Sequence, residues 1–427
     1  MGIPADLGIN EAATADGGTA SGSGAGRVGL WLVGARGSVA ATAATGLAAI
    51  NGGLAPATGC VTAQEGFAAV PLPGFADLLI GGHDISDVSV AKRVEHLVGA
   101  GMLPQHLVSS VRAELEEVDA RVCPGYQPGQ IGVSQAETAR RLARDIGEFR
   151  RDHELDRVIV IDVASTEAPI DHLPEFDDLD LLLEALDDPA RAILPPSSLS
   201  AYAAILAEAP YICFTPSPAL NVPALARLAA ERGLPTAGQD GKTGQTWLRS
   251  VLAPGLAARG LRVLSWAGAN LLGGGDGATL ADPEAVAGKL QSKNRGLQAL
   301  TGGAATPLHI DNVPDLGETK VAWDHINLEG FLGSRLTLQT TWSAYDSMLA
   351  APMILDLARL MALADAAGET GQIGELGFFF KDPWGSEEHA FAEQSRRLLD
   401  WAQEAGARID ATSAKSFGQV AQSVVAR

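Results

Sequence analysis

The stretch Arg27-Val-Gly-Leu-Trp-Leu-Val-Gly-Ala-Arg-Gly-Ser-Val-Ala40 restricts the fold more than any other. A short apolar run ends in glycines and passes directly into the alanine-rich segment 40–50, which reads as strand, tight turn and helix. Similar apolar runs recur at Asp77-Leu-Leu-Ile80, Arg157-Val-Ile-Val-Ile-Asp-Val-Ala164 and Tyr211-Ile-Cys-Phe-Thr215, with helical stretches such as 135–151 and 223–231 between them. Strands that are apolar throughout must be covered on both faces, so the alternation predicts an α/β chain with a doubly wound parallel sheet. After residue 243 the texture changes. Segments 261–267 and 335–341 still read as strands, the second with in-and-out alternation, and 350–363 reads as an amphipathic helix with Pro352 in its first turn. The expected division is a tail at 1–26, a first domain at 27–242, an inserted α+β domain at 243–345 and a return to the first domain at 346–427.

Charge narrows the partners. A formal net charge of −20 lacks the basic footprint that nucleic acid or an anionic membrane needs. Any anionic ligand must be held by a local cluster of cations. Segment 1–26 has no Lys or Arg and no apolar core, which fits a disordered tail rather than a signal peptide. No apolar run approaches the roughly 20 residues that cross a bilayer. Cys60, Cys123 and Cys213 are far apart and lack metal-ligand spacing, so a cytoplasmic location and no metal are expected.

Gly34-Ala-Arg-Gly-Ser-Val-Ala40 has the position, after a strand and before a helix, at which backbone N–H groups hold a dinucleotide pyrophosphate. Arg36 stands where a second glycine is usual, and no acid follows at the usual distance of about 20 residues. The turn alone is equally compatible with a strand-to-helix corner that binds nothing.

Lysine placement carries more chemistry. The chain has seven lysines against twenty-four arginines, and five of the seven, Lys242, Lys289, Lys293, Lys320 and Lys381, fall between 242 and 381. Lys289 and Lys293 share one face of a helical stretch, where like charges repel. Crowding and burial both depress an ammonium pKa, so such a group could clamp a phosphate and also supply a neutral amine as base. Gly238-Gln-Asp-Gly-Lys-Thr-Gly-Gln-Thr246 is a polar turn before a helix expected near Trp247, suited to a phosphate. Asn270-Leu-Leu-Gly-Gly-Gly-Asp-Gly277 ends a strand in a glycine loop that holds Asp276.

At these residues the chain resembles the inositol-3-phosphate synthase family. Nine motifs occur in family order: Gly34 to Ala40, Gly81-Gly-His-Asp-Ile85, Ser165-Thr-Glu167, Gly238 to Thr246, Asn270 to Gly277, Lys289 with Lys293, Gly317-Glu-Thr-Lys320, Asp346-Ser-Met-Leu-Ala-Ala-Pro352 and Phe380-Lys-Asp-Pro383. The resemblance implies a homotetramer with a Rossmann-like NAD domain and an inserted catalytic and tetramerisation domain. It implies redox-neutral cyclisation of a hexose 6-phosphate: C5 oxidation of glucose 6-phosphate, C6 enolisation, aldol closure onto C1 and C5 reduction, giving 1D-myo-inositol 3-phosphate. Carried over by motif, Lys289 and Lys381 would manage protons and oxyanions, and Lys293 and Lys320 would hold phosphate and stabilise the enolate. Asp240, Asn270, Asp276 and Asp346 would orient lysines, sugar hydroxyls or nicotinamide. Lys242, Thr243, Gly244, Gln245 and Thr246 would meet the substrate phosphate. Gly34, Ala35, Arg36, Gly37, Ser38, Val39, Ala164, Ser165, Thr166 and Gly238 would line the NAD site, with Asp84 as the ribose acid. Gly274 and Gly275 replace two asparagines common in the family, and Glu318 replaces an aspartate, which puts substrate identity in question. A paralogue closing fructose 6-phosphate to a five-membered cyclitol phosphate is the main alternative. An ordinary dehydrogenase and a nucleotide-sensing protein without turnover are more distant ones.

Overall fold

In a computed structural model, the structure describes residues 26–129, 132–273, 297–298 and 300–425. The expected N-terminal tail, the loop aspartate Asp276 and the pair Lys289 and Lys293 lie outside the described residues.

Eleven strands are described: β1 (Val28–Val33), β2 (Leu78–Asp84), β3 (Val122–Pro124), β4 (Arg157–Asp162), β5 (Tyr211–Cys213), β6 (Pro235–Gly238), β7 (Arg262–Leu272), β8 (Leu308–Asn312), β9 (Thr319–Glu329), β10 (Arg335–Tyr345) and β11 (Gly371–Gln372). Seven of them form one sheet in the order β11-β6-β5-β4-β1-β2-β3, and every neighbouring pair in it is parallel. The chain winds outward from β1 through β2 to β3, then returns to β4 on the other side of β1. That reversal opens a crevice at the carboxyl ends of β1 and β4, the usual place for a ligand in such sheets.

The pleat explains the apolar runs. Val28, Leu30 and Leu32 of β1 join Ile159 and Ile161 of β4 in one core, while Trp31, Val158 and Val160 point to the other. Each such buried aliphatic side chain contributes about 1.5 to 3 kcal/mol. The first core is closed by helices Ser38–Asn51 and Asp346–Ala366, and Ala40, Ala41 and Ala44 keep the contact side of the first of these small. The second core is closed by helices Gln135–Asp152 and Pro196–Leu206.

Four strands form the second sheet in the order β10-β9-β7-β8. β9 is antiparallel to both β7 and β10, whereas β8 lies parallel to β7. Helix Gln245–Ala258 packs on one face through Ala253, against Trp266, Ile326 and Leu328. The β9–β10 corner leaves Phe331 and Leu332 exposed.

The helix expected over 350–363 needs correction. It runs from Asp346 to Ala366, Pro352 lies well inside it, and Ile354 to Ala364 are all buried. β10 ends at Tyr345 and the helix begins at the next residue, so the chain passes from the second sheet into the first core without a loop. A helix covered on nearly all sides has no solvent face, so its apolar surface is continuous rather than a stripe. Its length and composition would cross a membrane, but here it is an interior element. Buried Asp356 accepts from the N–H groups of Val61 (2.7 Å) and Thr62 (3.1 Å), which ties the helix to a surface loop.

Candidate active site

A cleft of about 570 Å³ opens at the carboxyl ends of β1, β2, β4, β5 and β6 and runs to the second sheet. At its outer end Gly34 adopts φ +88°, and a Cβ there would stand 2.8 Å from the Cα of Ala164, so only glycine fits between the β1 and β4 loops. The N–H groups of Gly34 and Ala35 donate to the carbonyl of His83 (2.9 and 3.1 Å), which braces the turn. Gly37 precedes helix Ser38–Asn51, and no side chain caps that helix, leaving its first N–H groups for an anion. This arrangement fits a dinucleotide pyrophosphate.

Asp84 ends β2 with both carboxylate oxygens engaged by backbone, from the N–H of Arg36 (2.6 Å) and of Ser86 (2.7 Å). The Arg36 side chain turns aside to Asp119 (2.8 Å) and to the carbonyl of Ser86 (2.8 Å). Ser38, Val39, Ala164, Ser165 and Thr166 complete this wall, whereas Ala35 and Gly238 are buried behind it. Beneath Ala164, Asp162 accepts from its N–H (3.0 Å) and from the Tyr211 hydroxyl (3.1 Å). Burial pushes the Asp162 carboxyl up to about 7.

The inner end gathers charge. Asp240, with φ +63°, receives Lys381 Nζ at 2.7 Å. The two chain segments that carry this pair are zipped together: Lys381 N–H donates to the Asp240 carbonyl (2.8 Å), Lys242 N–H to Phe379 (2.8 Å) and Trp384 N–H to Gly238 (2.7 Å). Lys320 Nζ lies 3.3 Å from Asp346, whose other oxygen accepts from the Thr243 hydroxyl at 2.6 Å. Burial alone would raise the Asp346 carboxyl, but Lys320, then Lys381 and the Thr243 bond outweigh it and hold it well below the usual range. Two lysines from separate elements thus converge, each held by a carboxylate, and can shuttle protons or stabilise an oxyanion.

Other expected site residues stand away from the described lining. Lys242 turns inward, where its Nζ donates to Gln394 (2.5 Å) and lies 6.0 Å from the centre of the Phe391 ring. Burial lowers it to about 7. Helix Gln245–Ala258 begins two residues earlier than expected, with Gly244 as an N-cap that contributes no side chain. Thr246 sits half-buried in its first turn. Gln245 donates to Asp324 (3.0 Å) and accepts from Asn270 (2.8 Å). Asp324 is in turn held by Arg249 (2.6 Å) and by the Trp266 indole (2.8 Å), a fully buried network behind the helix start.

Sequence reasoning passed over several lining residues, among them Arg93, Ser86, Thr215 and Ser347. Arg93 comes from helix Val90–Gly99, which follows β2 directly in the chain.

A family model described as myo-inositol-1-phosphate synthase, an NAD-binding domain, matches residues 28–403. Inositol-3-phosphate synthase 1 of Bacteroides thetaiotaomicron is 31% identical over 393 residues, covering 85% of this chain and 91% of that protein. Inositol-3-phosphate synthase 1 of Oryza sativa subsp. japonica is 31% identical over 319 residues, 69% of this chain, and the match spans only 61% of the rice protein. Among solved structures, inositol-3-phosphate synthase of Caenorhabditis elegans superimposes with a TM-score of 0.79 at 25% identity, covering 89% of this chain and 86% of that one. A myo-inositol-1-phosphate synthase-related protein of Thermotoga maritima shares the fold at 23% identity, with a TM-score of 0.70 over 88% of this chain and 98% of its own.

Proposed function

The chain belongs to the myo-inositol-1-phosphate synthase family, an NAD-binding family, and we propose that it cyclises glucose 6-phosphate to 1D-myo-inositol 3-phosphate without net oxidation. The observation that carries this reading is the meeting of the Lys381–Asp240 and Lys320–Asp346 pairs at the inner end of a cleft whose outer end suits a dinucleotide.

Bound NAD supplies a hydride acceptor for C5 and, after ring closure, a hydride donor. Lys381, with Nζ fixed by Asp240, takes the proton of the C5 hydroxyl as it passes one of its own to Asp240, and the relay reverses at the end. The C5 ketone acidifies C6, whose proton is proposed to pass to the Lys289 amine, and Lys320, held by Asp346, sets positive charge beside the enolate. The C6 carbon then bonds to C1, and the C1 oxyanion takes up a proton. Lys289 and Lys293 are proposed to share this proton traffic and the phosphate. The helix start at Gly244, Gln245 and Thr246 is proposed to receive the phosphate next to Thr243 of the cleft wall; its first N–H groups have no side-chain cap, although Gly244 and Gln245 are buried. The buried bond from Asn270 to Gln245 keeps that start in place.

Glu318 lines the cleft with a carboxylate one methylene longer than the family's usual aspartate, which keeps fructose 6-phosphate in play as substrate. Purified protein given NAD and either ¹³C-labelled hexose 6-phosphate, followed by carbon NMR, separates the cases. A six-membered carbocycle without NADH build-up supports the proposal. A five-membered one selects the alternative substrate, and an open-chain ketose with stoichiometric NADH would sink cyclisation altogether. Assembly as a homotetramer is part of the same reading, supported by Phe331 and Leu332 at 86% and 90% exposure, by the exposed Leu336 at the same corner and by exposed Trp323 farther along β9. Three free cysteines, two of them buried, support a reducing, cytoplasmic setting.

A further inference from the structure

The loop that carries Lys381 is tied from behind by one buried glutamine. Gln394 lies near the start of the last helix, where its N–H donates to the Ala390 carbonyl (3.0 Å). It is 4% exposed, and its amide nitrogen donates to two carbonyls, Gly377 (3.1 Å) and Glu388 (2.6 Å), one before Lys381 in the chain and one after it. The amide oxygen accepts from Lys242 Nζ (2.5 Å). Only one orientation of the amide satisfies all three bonds, because the two carbonyls can only accept.

Lys242 lies on the segment that carries Asp240, whereas Gly377 and Glu388 bracket the segment that carries its lysine. One side chain therefore joins the two segments that hold the Lys381–Asp240 pair. The turn it secures is tight: a Cβ on Gly377 would stand 2.9 Å from Cβ of Pro383. Glu388 is fixed from its own side as well, since its carboxylate accepts from the Ala390 N–H (2.8 Å). Lys381 reaches Asp240 through a flexible four-carbon stem, and such an arm amplifies a small shift at its root.

We infer that Gln394 is a positioning residue for proton transfer: it holds the Lys381 loop against the Lys242 segment, so that Lys381 Nζ stays 2.7 Å from Asp240. The inference rests on the proposed role of Lys381. A proton passes only at hydrogen-bond length, and displacing a catalytic group by about 1 Å can cost about a hundredfold in rate.

The test uses the full-length protein with Gln394→Glu, Gln394→Leu, Lys381→Ala, and Lys381→Ala combined with Gln394→Glu, each checked for folding by thermal melting. Gln394→Glu has the shape of glutamine and still accepts from Lys242, but its ionised carboxylate offers no donor to Gly377 or Glu388. Gln394→Leu removes all three bonds at similar volume. Lysine acetylation by acetic anhydride, read by peptide mass spectrometry, reports the Lys381–Asp240 contact without any turnover. In both Gln394 variants Lys381 should react about fivefold faster relative to Lys320 of the same molecule than in wild type, the size of effect expected when an ion pair is loosened. With glucose 6-phosphate and NAD, kcat should fall about 10- to 100-fold while KM and NAD affinity stay within about twofold of wild type. Because Gln394 acts through Lys381, the double variant should be no slower than Lys381→Ala alone. A general loss of packing would instead expose both lysines together and multiply the two rate losses. The inference is overturned if the ratio of Lys381 to Lys320 labelling in both Gln394 variants matches wild type, or if Gln394→Glu slows Lys381→Ala by the same factor as it slows wild type. Wild-type turnover in Lys381→Ala would overturn the role proposed for that lysine, and a wild type inert toward both hexose 6-phosphates the proposed reaction; the labelling ratio still decides what Gln394 holds.

Discussion

The ammonium of Lys381 donates to Oδ1 of Asp240 at 2.7 Å across 141 residues of chain. The side chain is therefore held in one place by a fixed charge, as a proton-transfer group must be. Lys381→Ala should lower kcat by about two to four orders of magnitude, while NAD affinity, read by fluorescence titration, stays near wild type. Lys289→Ala, at a position outside the described residues, should do the same. Wild-type turnover in either variant would remove that lysine from the mechanism.

Asp346 offers a pH test. Its folded carboxyl lies below its ordinary value because the attraction of Lys320, Lys381 and Thr243 exceeds the burial that opposes ionisation. A depressed carboxyl contributes stability that is present above the unfolded pKa of about 4 and fades as pH falls below it. Asp346→Asn should therefore be less stable than wild type at pH 7, with the gap in Tm narrowing by pH 3. A gap that is constant with pH would show that the lysines do not act on Asp346.

Lys242 tests the opposite sign. Burial lowers its folded value to about 7, so between about 7 and 10.4 the unfolded chain binds the extra proton and wild-type stability rises with pH. Lys242→Met removes that dependence. The Tm of the variant relative to wild type should be highest near pH 7 and decline toward pH 10; a flat or rising difference would mean that the amine stays charged inside.

The buried pair of Arg249 and Asp324 should be costly to break, because Gln245 and Trp266 share the same carboxylate. Asp324→Ala leaves the guanidinium without its carboxylate and should cost about 3 to 5 kcal/mol in urea unfolding. Arg249→Met with Asp324→Leu should recover only part of it, because the Gln245 amide and the Trp266 indole N–H then lose their acceptor. Gly268→Ala is a milder probe of the same contact, since a Cβ there would lie 2.4 Å from Arg249 Nη2 and 3.0 Å from Asp324 Oδ1. If Asp324→Ala unfolds at wild-type urea concentration, the network does not support the helix start at Gln245.

How far the sequence could be read follows from burial. β1 and β4 were legible because their side chains are buried on both faces and therefore apolar throughout. β3, β6 and β11 are two to four residues long and contain Pro or Gly, so they carry no periodic signal. The helix Asp346–Ala366 looked amphipathic because Asp356 and Arg359 read as a polar face, whereas they are buried and bonded to the 61–73 loop. Local sequence also could not tell which way a lysine turns. Lys381 and Lys320 line the cleft, while Lys242 turns into the interior beneath Phe391. Arg93 was missed because a single arginine on the polar side of an amphipathic helix carries no signal of its own, and only the fold sets it on the cleft wall.

β11 adds just two residues to the far edge of the parallel sheet, yet it is where the chain comes home after the second sheet. From there Phe379 to Trp384 can reach back to Gly238 to Lys242 and fasten five backbone hydrogen bonds, from Gln239, Lys242, Lys381, Asp382 and Trp384. The clasp can close only once the chain has been made as far as Trp384, about nine tenths of its length. Until then Asp240 lacks the ammonium of Lys381, and the inner end of the cleft stays unfastened.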